Sequence, residues 1–261
     1  MPQVKNVKKI LSLALAVAML LAPLCTLAEI KGLTGFDKKV YDGAMALYAS
    51  SESYRIKDRF ICSAQVVEKI EGGYKLLSAG HCTPANADLP SDMTFSVASD
   101  LGKPLTPVKL MAAKLNDSED WSVFYLATDK KLSVVSLGDE NNAKINDKTI
   151  DVNFSLSLAK EVSMGLVSST VQNQGPMAGF FQVTQFDSHG ASGSSVVDER
   201  TKKVIGIVIA GVDGTTTPTW IEPISVIEKA VNKAALPRSA NTKFDPLIEQ
   251  GLAKETAWTK N

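Results

Sequence analysis

Short apolar runs recur along this chain about every 10–15 residues, each closed by a polar, glycine-rich or proline-containing turn. Residues 204–211 are apolar throughout, which predicts a strand buried on both faces. A Glu-Gly-Gly turn at 71–73 separates the runs 60–69 and 74–78 and predicts a hairpin. Many short strands at this spacing favour an all-β barrel protein over alternating β/α units. The other strand-like runs are 93–98, 107–113, 121–126, 149–156, 161–169, 179–186 and 218–223.

Two segments show helical rather than strand-like periodicity. In residues 36–51 the apolar side chains, among them Val40, Ala44 and Leu47, recur at near-helical spacing and predict a short amphipathic helix. Residues 225–235 predict a second helix near the C-terminus. The 261 residues are 44% hydrophobic, which is enough for one or two compact domains with a real core.

The first 28 residues have the organisation of a secretory signal peptide. Three lysines form a basic start, residues 10–24 are apolar, and the small residues at 26–28 form a cleavage site. An uncleaved membrane anchor is the alternative, because about 19 residues separate Lys9 from Glu29. The sequence therefore predicts an exported protein, secreted or periplasmic, with membrane contact only if residues 1–28 are retained.

Charge and cysteine content exclude several classes of function. Residues 1–28 hold three lysines and no acidic residue, so the remaining chain has a net charge of about −3 and no basic patch for nucleic acid. Loss of Cys25 with the signal leaves Cys62 and Cys82 as an even pair, which predicts one disulfide in an oxidising compartment. Two cysteines and two histidines are too few for a convincing metal site, and we expect no cofactor.

A candidate nucleophile lies on the turn before residues 195–197. Ser192 stands among small residues, and Gly190 and Gly193 permit backbone angles that a side chain would disfavour. The backbone amides of Gly190 and Ser192 could then point at one spot, where a developing oxyanion needs two donors.

The order of residues along the chain restricts the catalytic arrangement. Both histidines precede Ser192, so the Ser-acid-His order of α/β-hydrolases is excluded, and Ser194 breaks their Gly-x-Ser-x-Gly elbow. An order of His81, an acid and Ser192 remains. Asp120 is the best acid because it opens the run 121–126, and Asp117 and Glu119 are its nearby rivals.

Three short motifs resemble those of the chymotrypsin/trypsin-fold serine peptidases. Residues 78–82, Ser-Ala-Gly-His-Cys, are similar to the family's T-A-[AG]-H-C box, and residues 120–123, Asp-Trp-Ser-Val, to its D-[IL]-A-[LV] box. Residues 190–195, Gly-Ala-Ser-Gly-Ser-Ser, resemble G-x-S-G-G-P with serine in the last two places. The cysteine pair also matches, because the family often joins the strand before the histidine box to the cysteine of that box. Runs at 137–139, 165–169 and 220–224 resemble those of bacterial members of the HtrA type.

The resemblance implies two antiparallel β-barrels packed side by side. They would span about residues 55–130 and 140–222, followed by the helix 225–235, within a peptidase domain of about 55–235. Residues 29–54 would be a helical lead-in and 236–261 a tail. The tail is short for a PDZ domain, so we expect a lone peptidase domain.

The resemblance also implies a serine endopeptidase that cleaves polypeptides through an acyl-enzyme. His81, Asp120 and Ser192 would be catalytic, with Gly190 and Ser192 as the oxyanion hole. Ala191 replaces the aspartate that trypsin-like zymogens use for activation, so that switch is not expected. A catalytically silent, partner-binding member of the fold is the alternative function.

The expected substrate pocket comprises four residues. Counting back from Ser192 puts Phe186 and Asp187 near its base, and Ala210 and Gly211 form one wall. A bulky Phe186 would favour small or medium apolar residues before the cleaved bond, whereas an inward Asp187 would favour Lys or Arg. The edge of the strand that ends at Ala210 and Gly211 would pair with the substrate backbone.

Overall fold

The computed structural model describes residue 33 and residues 35–83, 92–116, 118–170, 177–211 and 218–233. By its internal contacts the chain divides into residues 1–35 and residues 36–261, and the elements described below belong to the second unit apart from the first residue of α1. The predicted signal peptide and tail lie outside the described residues. Within the described part, no helix is both long and apolar enough to cross a membrane.

Twelve strands of the described chain form two closed, six-stranded antiparallel barrels, which confirms the predicted fold class. The first barrel has the order β1-β2-β3-β6-β5-β4, and the second β10-β11-β12-β9-β8-β7. The first contains β1 Ala44–Ser51, β2 Ile56–Ile70, β3 Gly73–Ser78, β4 Thr94–Ala98, β5 Thr106–Asn116 and β6 Glu119–Ala127. The second contains β7 Lys148–Asn153, β8 Glu161–Ser169, β9 Phe181–Val183, β10 Ser195–Asp198, β11 Lys203–Gly211 and β12 Thr219–Pro223.

Helices occupy the two ends of the described chain. Helix α1 covers Gly35–Gly43 and α2 covers Ile224–Lys233, and short 3-10 turns lie at Glu140–Asn142 and Ser155–Ser157. The predicted hairpin is present as β2 and β3, whose turn uses Gly72 at φ 74°, a conformation that glycine adopts without strain.

The predicted helix over residues 36–51 is wrong in its second half. Helix α1 ends at Gly43, and Ala44–Ser51 form β1, which pairs with β2 on one side and β4 on the other. Seven of the eight β1 residues are buried, so the strand lacks the alternation of a half-exposed strand. The first barrel therefore begins at Ala44 rather than at about residue 55.

Two predicted strands are shorter than expected. The run 149–156 contributes β7 only as far as Asn153, and a 3-10 turn follows at Ser155–Ser157. The run 179–186 contributes only the three residues of β9. Residues 184–187 instead follow an irregular path beside β8, where Ser163 Oγ accepts from the Phe186 amide at 2.9 Å. This irregular segment leads into the turn that carries Ser192.

A buried lysine of the second barrel caps the end of α1. Lys160 Nζ donates to the carbonyls of Tyr41 at 3.0 Å and Ala44 at 2.8 Å, and it lies 4.7 Å above the Tyr41 ring. The last carbonyls of a helix lack partners within the helix, so this ammonium satisfies two acceptors at the change from helix to strand. Burial lowers the pKa of Lys160 to about 8.

Ser63 of β2 links the first barrel to the serine turn of the second. Its amide donates to the Ser192 carbonyl at 2.9 Å, and its hydroxyl donates to the Gly190 carbonyl at 2.7 Å. The same hydroxyl accepts from the Phe154 amide at 3.1 Å. Two of these hydrogen bonds fix the serine turn of the second barrel against a strand of the first, and the third joins the same strand to Phe154.

Candidate active site

His81 and Asp120 form a hydrogen-bonded pair at one end of the first barrel. Strands β3 and β6 pair as far as Ser78 opposite Ser122, so the residues just outside that ladder lie side by side. The Asp120 carboxylate accepts from the His81 amide through Oδ1 at 2.8 Å and lies 2.7 Å from His81 Nδ1 through Oδ2. The carboxylate is nearly buried, whereas a third of the His81 side chain is exposed.

The two rival acids do not share this position. Glu119 forms an ion pair with Lys114 across the neighbouring strand. Asp117 lies outside the described residues. Of the two candidates that the structure describes, Asp120 is the one bonded to the His81 ring.

The turn that carries Ser192 packs directly on the segment leading to His81. Gly193 has φ 84°, and a Cβ there would collide with Ser63 and Ser78 and would lie 2.8 Å from the Ala79 amide nitrogen. Only a residue without a side chain permits this approach. Ser192 is partly exposed next to the histidine turn, so the three predicted catalytic residues lie in one region.

The orientation of the Gly190 amide is fixed by its own peptide group. The carbonyl of that peptide belongs to His189 and accepts from the Leu156 amide at 2.6 Å. In a trans peptide the N–H points opposite to the carbonyl, so the Gly190 N–H is directed away from Leu156. Gly190 itself has φ 97°, which explains why glycine occupies this position.

The Ser192 amide is held in a similar way. The carbonyl of its peptide belongs to Ala191 and accepts from the Ser194 amide at 2.9 Å. The next amide, that of Gly193, donates to the Val208 carbonyl at 2.8 Å. In both peptide groups that carry an expected oxyanion donor, the carbonyl on the other side of the peptide is therefore held by a backbone hydrogen bond.

The predicted cysteine pair is joined by a disulfide beside the histidine. Cys62 and Cys82 have Cα atoms 6.0 Å apart, and both sulfurs lie within 4.8 Å of a ring nitrogen of His81. A metal would require thiolates, and sulfurs bonded to each other supply none. This cluster is therefore a covalent link between β2 and the histidine turn.

The predicted pocket residues differ in exposure. Phe186 is 47% exposed, whereas Asp187 is only 7% exposed. Ala210 and Gly211 end β11, and a Cβ on Gly211 would lie 3.7 Å from the Asp187 carbonyl oxygen. Asp187 and this wall are therefore neighbours, and the Phe186 side chain is turned partly to the surface.

Asp187 lies in a buried acidic cluster that sequence reasoning missed. Asn153 Nδ2 donates to Asp187 at 3.0 Å and to Asp151 at 2.9 Å, and the Ser194 hydroxyl donates to Asp151 at 2.8 Å. Burial, followed by the charge of Asp151, raises the pKa of Asp187 well above its usual value. Burial raises the pKa of Asp151 to about 6. Burial in this cluster therefore favours the protonated form of Asp187.

A second missed residue contacts the His81–Asp120 pair through the Asp120 backbone. Glu222 of β12 is fully buried, and its Oε2 accepts from the Asp120 amide at 3.1 Å. Burial raises its pKa to about 8, with a further contribution from the charges of Asp120 and Glu119. The sequence signal that could have found Glu222 is an acidic residue within a short, mainly apolar run.

Solved structures share this fold at low sequence identity. The HtrA-type protease AlgW with tripeptide is 19% identical with a TM-score of 0.60, and the match covers 76% of this chain and 63% of that one. The serine endoprotease from Yersinia pestis is 17% identical with a TM-score of 0.58, covering 78% and 68%. The chain thus spans just under two thirds of the AlgW chain, and the likeness concerns the fold.

Family membership follows from a separate comparison. Among curated proteins, no sequence matches this chain. The family model described as trypsin-like peptidase domain matches residues 62–207, which include His81, Asp120 and Ser192. Because this match covers more than half of the chain, the protein belongs to the trypsin-like peptidase domain family.

Proposed function

We propose that this protein is an exported serine endopeptidase in which His81, Asp120 and Ser192 form the catalytic triad. One observation carries the proposal: the His81–Asp120 pair is bonded through ring and backbone and lies against the Ser192 turn. Each residue type has the role that this chemistry requires. A serine hydroxyl needs a base to remove its proton, and the base needs a carboxylate to fix its tautomer.

The reaction proceeds in two halves. Ser192 Oγ attacks the peptide carbonyl carbon while His81 Nε2 accepts the hydroxyl proton, and the carbon–nitrogen bond then breaks as His81 protonates the leaving amine. Water, deprotonated by His81, hydrolyses the resulting ester and releases Ser192. Asp120 accepts a hydrogen bond from the Nδ1–H group throughout and stabilises the imidazolium that forms in each half.

The oxyanion of each tetrahedral intermediate would be bound by the amides of Gly190 and Ser192. Preorganised donors are effective because they need no reorganisation when charge develops. The bonds to Leu156 and Ser194 on the opposite faces of the two peptides support this role.

The end of β11 is suited to binding an extended polypeptide. Strand β10 pairs with β11 only as far as Ile207, whereas Ala210 and Gly211 continue beyond that ladder. An extended substrate can add a strand along such an edge through backbone hydrogen bonds. Two of the structural neighbours, forms of the HtrA-type protease AlgW, have a tripeptide or a decapeptide bound.

Residues 1–28 and the disulfide support export. A basic start, an apolar stretch and small residues are typical of a secretory signal, and a disulfide persists in oxidising compartments. We therefore infer a secreted or periplasmic location.

A fluorophosphonate probe tests the proposed activity, because it forms a covalent bond only with an activated serine. We expect the native protein to be labelled and Ser192→Ala to remain unlabelled. Ser168→Ala, which removes an exposed serine of β8 in the same barrel, is the matched control and should label normally. A folded native protein that takes up no probe would instead support a catalytically silent binding protein.

Substrate preference is a further prediction. The buried Asp187 supports Lys or Arg before the cleaved bond, since a basic side chain beside Asp187 and Asp151 would supply the positive charge that buried carboxylates require. We expect kcat/KM for Arg peptides to exceed that for matched Val peptides by about tenfold or more, and Asp187→Asn to remove most of the difference.

The matched control for that measurement is Asp129→Asn, which removes an exposed carboxylate of the first barrel. It should leave the ratio of Arg to Val hydrolysis unchanged. A native preference for Val would mean that Phe186, despite its exposure, limits the pocket to small apolar residues.

A further inference from the structure

Glu222 is an acidic side chain without any exposed surface on the second barrel. Its Oε2 accepts from the Asp120 amide at 3.1 Å, and its Oε1 is buried with no hydrogen-bond partner among the described residues. Isoleucine precedes it and proline follows it, in a strand whose neighbours are mainly apolar. Burying a carboxyl group with one unpaired oxygen costs free energy of folding. We therefore expect Glu222 to fulfil a function that an apolar residue could not.

Asp120 has no ladder partner on the β3 side of its own sheet, so its amide needs an acceptor from another element. Strand β3 pairs with β6 only from Ser122 onward, so Asp120 lies beyond that ladder. Strand β12 of the second barrel packs against β6 at this point, and Glu222 supplies the acceptor. The backbone of the acid in one barrel is thus held by a side chain of the other.

We propose that Glu222 is a positioning residue for the catalytic acid: its buried carboxyl fixes the Asp120 backbone across the barrel interface and keeps the Asp120 carboxylate in register with His81. The inference rests on the proposed function, because it assigns a role to Glu222 through Asp120. Glu222 itself does not contact the reacting atoms.

The charge of Glu222 makes this role sensitive to pH. Its pKa of about 8 leaves the carboxyl neutral at pH 7, where it adds no second negative charge behind the His81–Asp120 pair. At higher pH the ionised carboxyl repels the Asp120 carboxylate. Activity should therefore decline as pH rises through about 8.

Few other ionisable groups face Glu222. Asp120 and Glu119 approach from β6, with Lys114 of β5 paired to Glu119 and His81 paired to Asp120. The β9 and β11 residues that pair with β12 carry no ionisable side chain. Helix α2 carries Glu228 and Lys229, and both are exposed.

Two variants separate the hydrogen bond from the charge. Glu222→Gln keeps an acceptor for the Asp120 amide but cannot ionise. We expect its kcat/KM to stay within about threefold of native at pH 7 and its alkaline decline near pH 8 to disappear. Glu222→Met fills a similar volume but offers the amide no comparable acceptor. We expect kcat to fall by about tenfold or more, with KM nearly unchanged.

The measurement is the pH profile of kcat and KM from pH 5 to 10 for both variants, with Glu228→Gln as the matched control on exposed α2. A native profile without an alkaline decline, or the same decline in Glu222→Gln, would overturn the proposal. So would a Glu222→Met enzyme with native kcat. If Glu222→Met does not fold, the profile of Glu222→Gln decides. Failure of native protein to label with fluorophosphonate would instead remove the proposed function itself.

Discussion

Replacing Ser192 or His81 with alanine is expected to lower kcat/KM for peptide hydrolysis by about 10³-fold or more, with the fold intact. In the proposed mechanism, Ser192 supplies the atom that bonds to the substrate, and His81 moves the proton in both halves of the reaction. Neither side chain belongs to the barrel cores, so the circular dichroism spectrum and the unfolding midpoint should remain close to native. Purified variants assayed with the same peptide provide the comparison.

The choice of acid is tested in the same assay. Asp120→Asn should approach the loss seen for His81→Ala, because an amide cannot stabilise the imidazolium and favours the wrong tautomer. Glu119→Gln and Asp117→Asn are the matched controls and should retain most activity. Equal damage from either control would show that the acid has been assigned incorrectly.

The second large effect concerns the disulfide. Replacing both Cys62 and Cys82 with alanine is expected to lower the free energy of unfolding by about 3 kcal/mol, because the bond closes a loop with a sequence separation of 20 residues. Activity should fall as well, since Cys82 directly follows His81 and its partner is adjacent to Ser63. Urea unfolding of native and variant protein gives the difference.

Thiol labelling provides an independent check of the disulfide. Native protein from an oxidising compartment should leave both cysteines unreactive until it is unfolded and reduced. Two reactive thiols in folded, active protein would contradict the pairing.

The sequence predicted those features that local patterns encode. Apolar runs and turns predicted an all-β barrel protein, and the resemblance of three short motifs to a known family implied two barrels and pointed to His81, Asp120 and Ser192. The prediction failed at Ala44–Ser51, where burial of nearly the whole strand removes the alternation that distinguishes a strand from a helix. Pairing with β2 and β4, which are distant in the sequence, determined the outcome there.

The missed residues share a different cause. Ser63, Asp151 and Glu222 act through partners on distant segments, and Ser63 and Glu222 reach the opposite barrel. A serine on a strand or an aspartate in an apolar run has no distinctive local pattern. The roles of Ser63 and Glu222 depend on how the two barrels dock, and that of Asp151 on contacts within its own barrel; neither composition nor periodicity encodes these contacts.

The hydrogen bonds of Ser63 also determine how much of the chain must fold before the proposed peptidase can be active. The proposed base and acid lie in the first barrel, whereas the proposed nucleophile lies later in the chain, on the second, so a chain that ends before residue 192 has a base and an acid without a nucleophile. The Ser192 turn then needs a finished second barrel docked on β2, and the Asp120 amide needs β12, which is among the last strands made. If the proposed triad is correct, copies truncated before β12 lack the contact that holds the Asp120 backbone and are expected to be inactive.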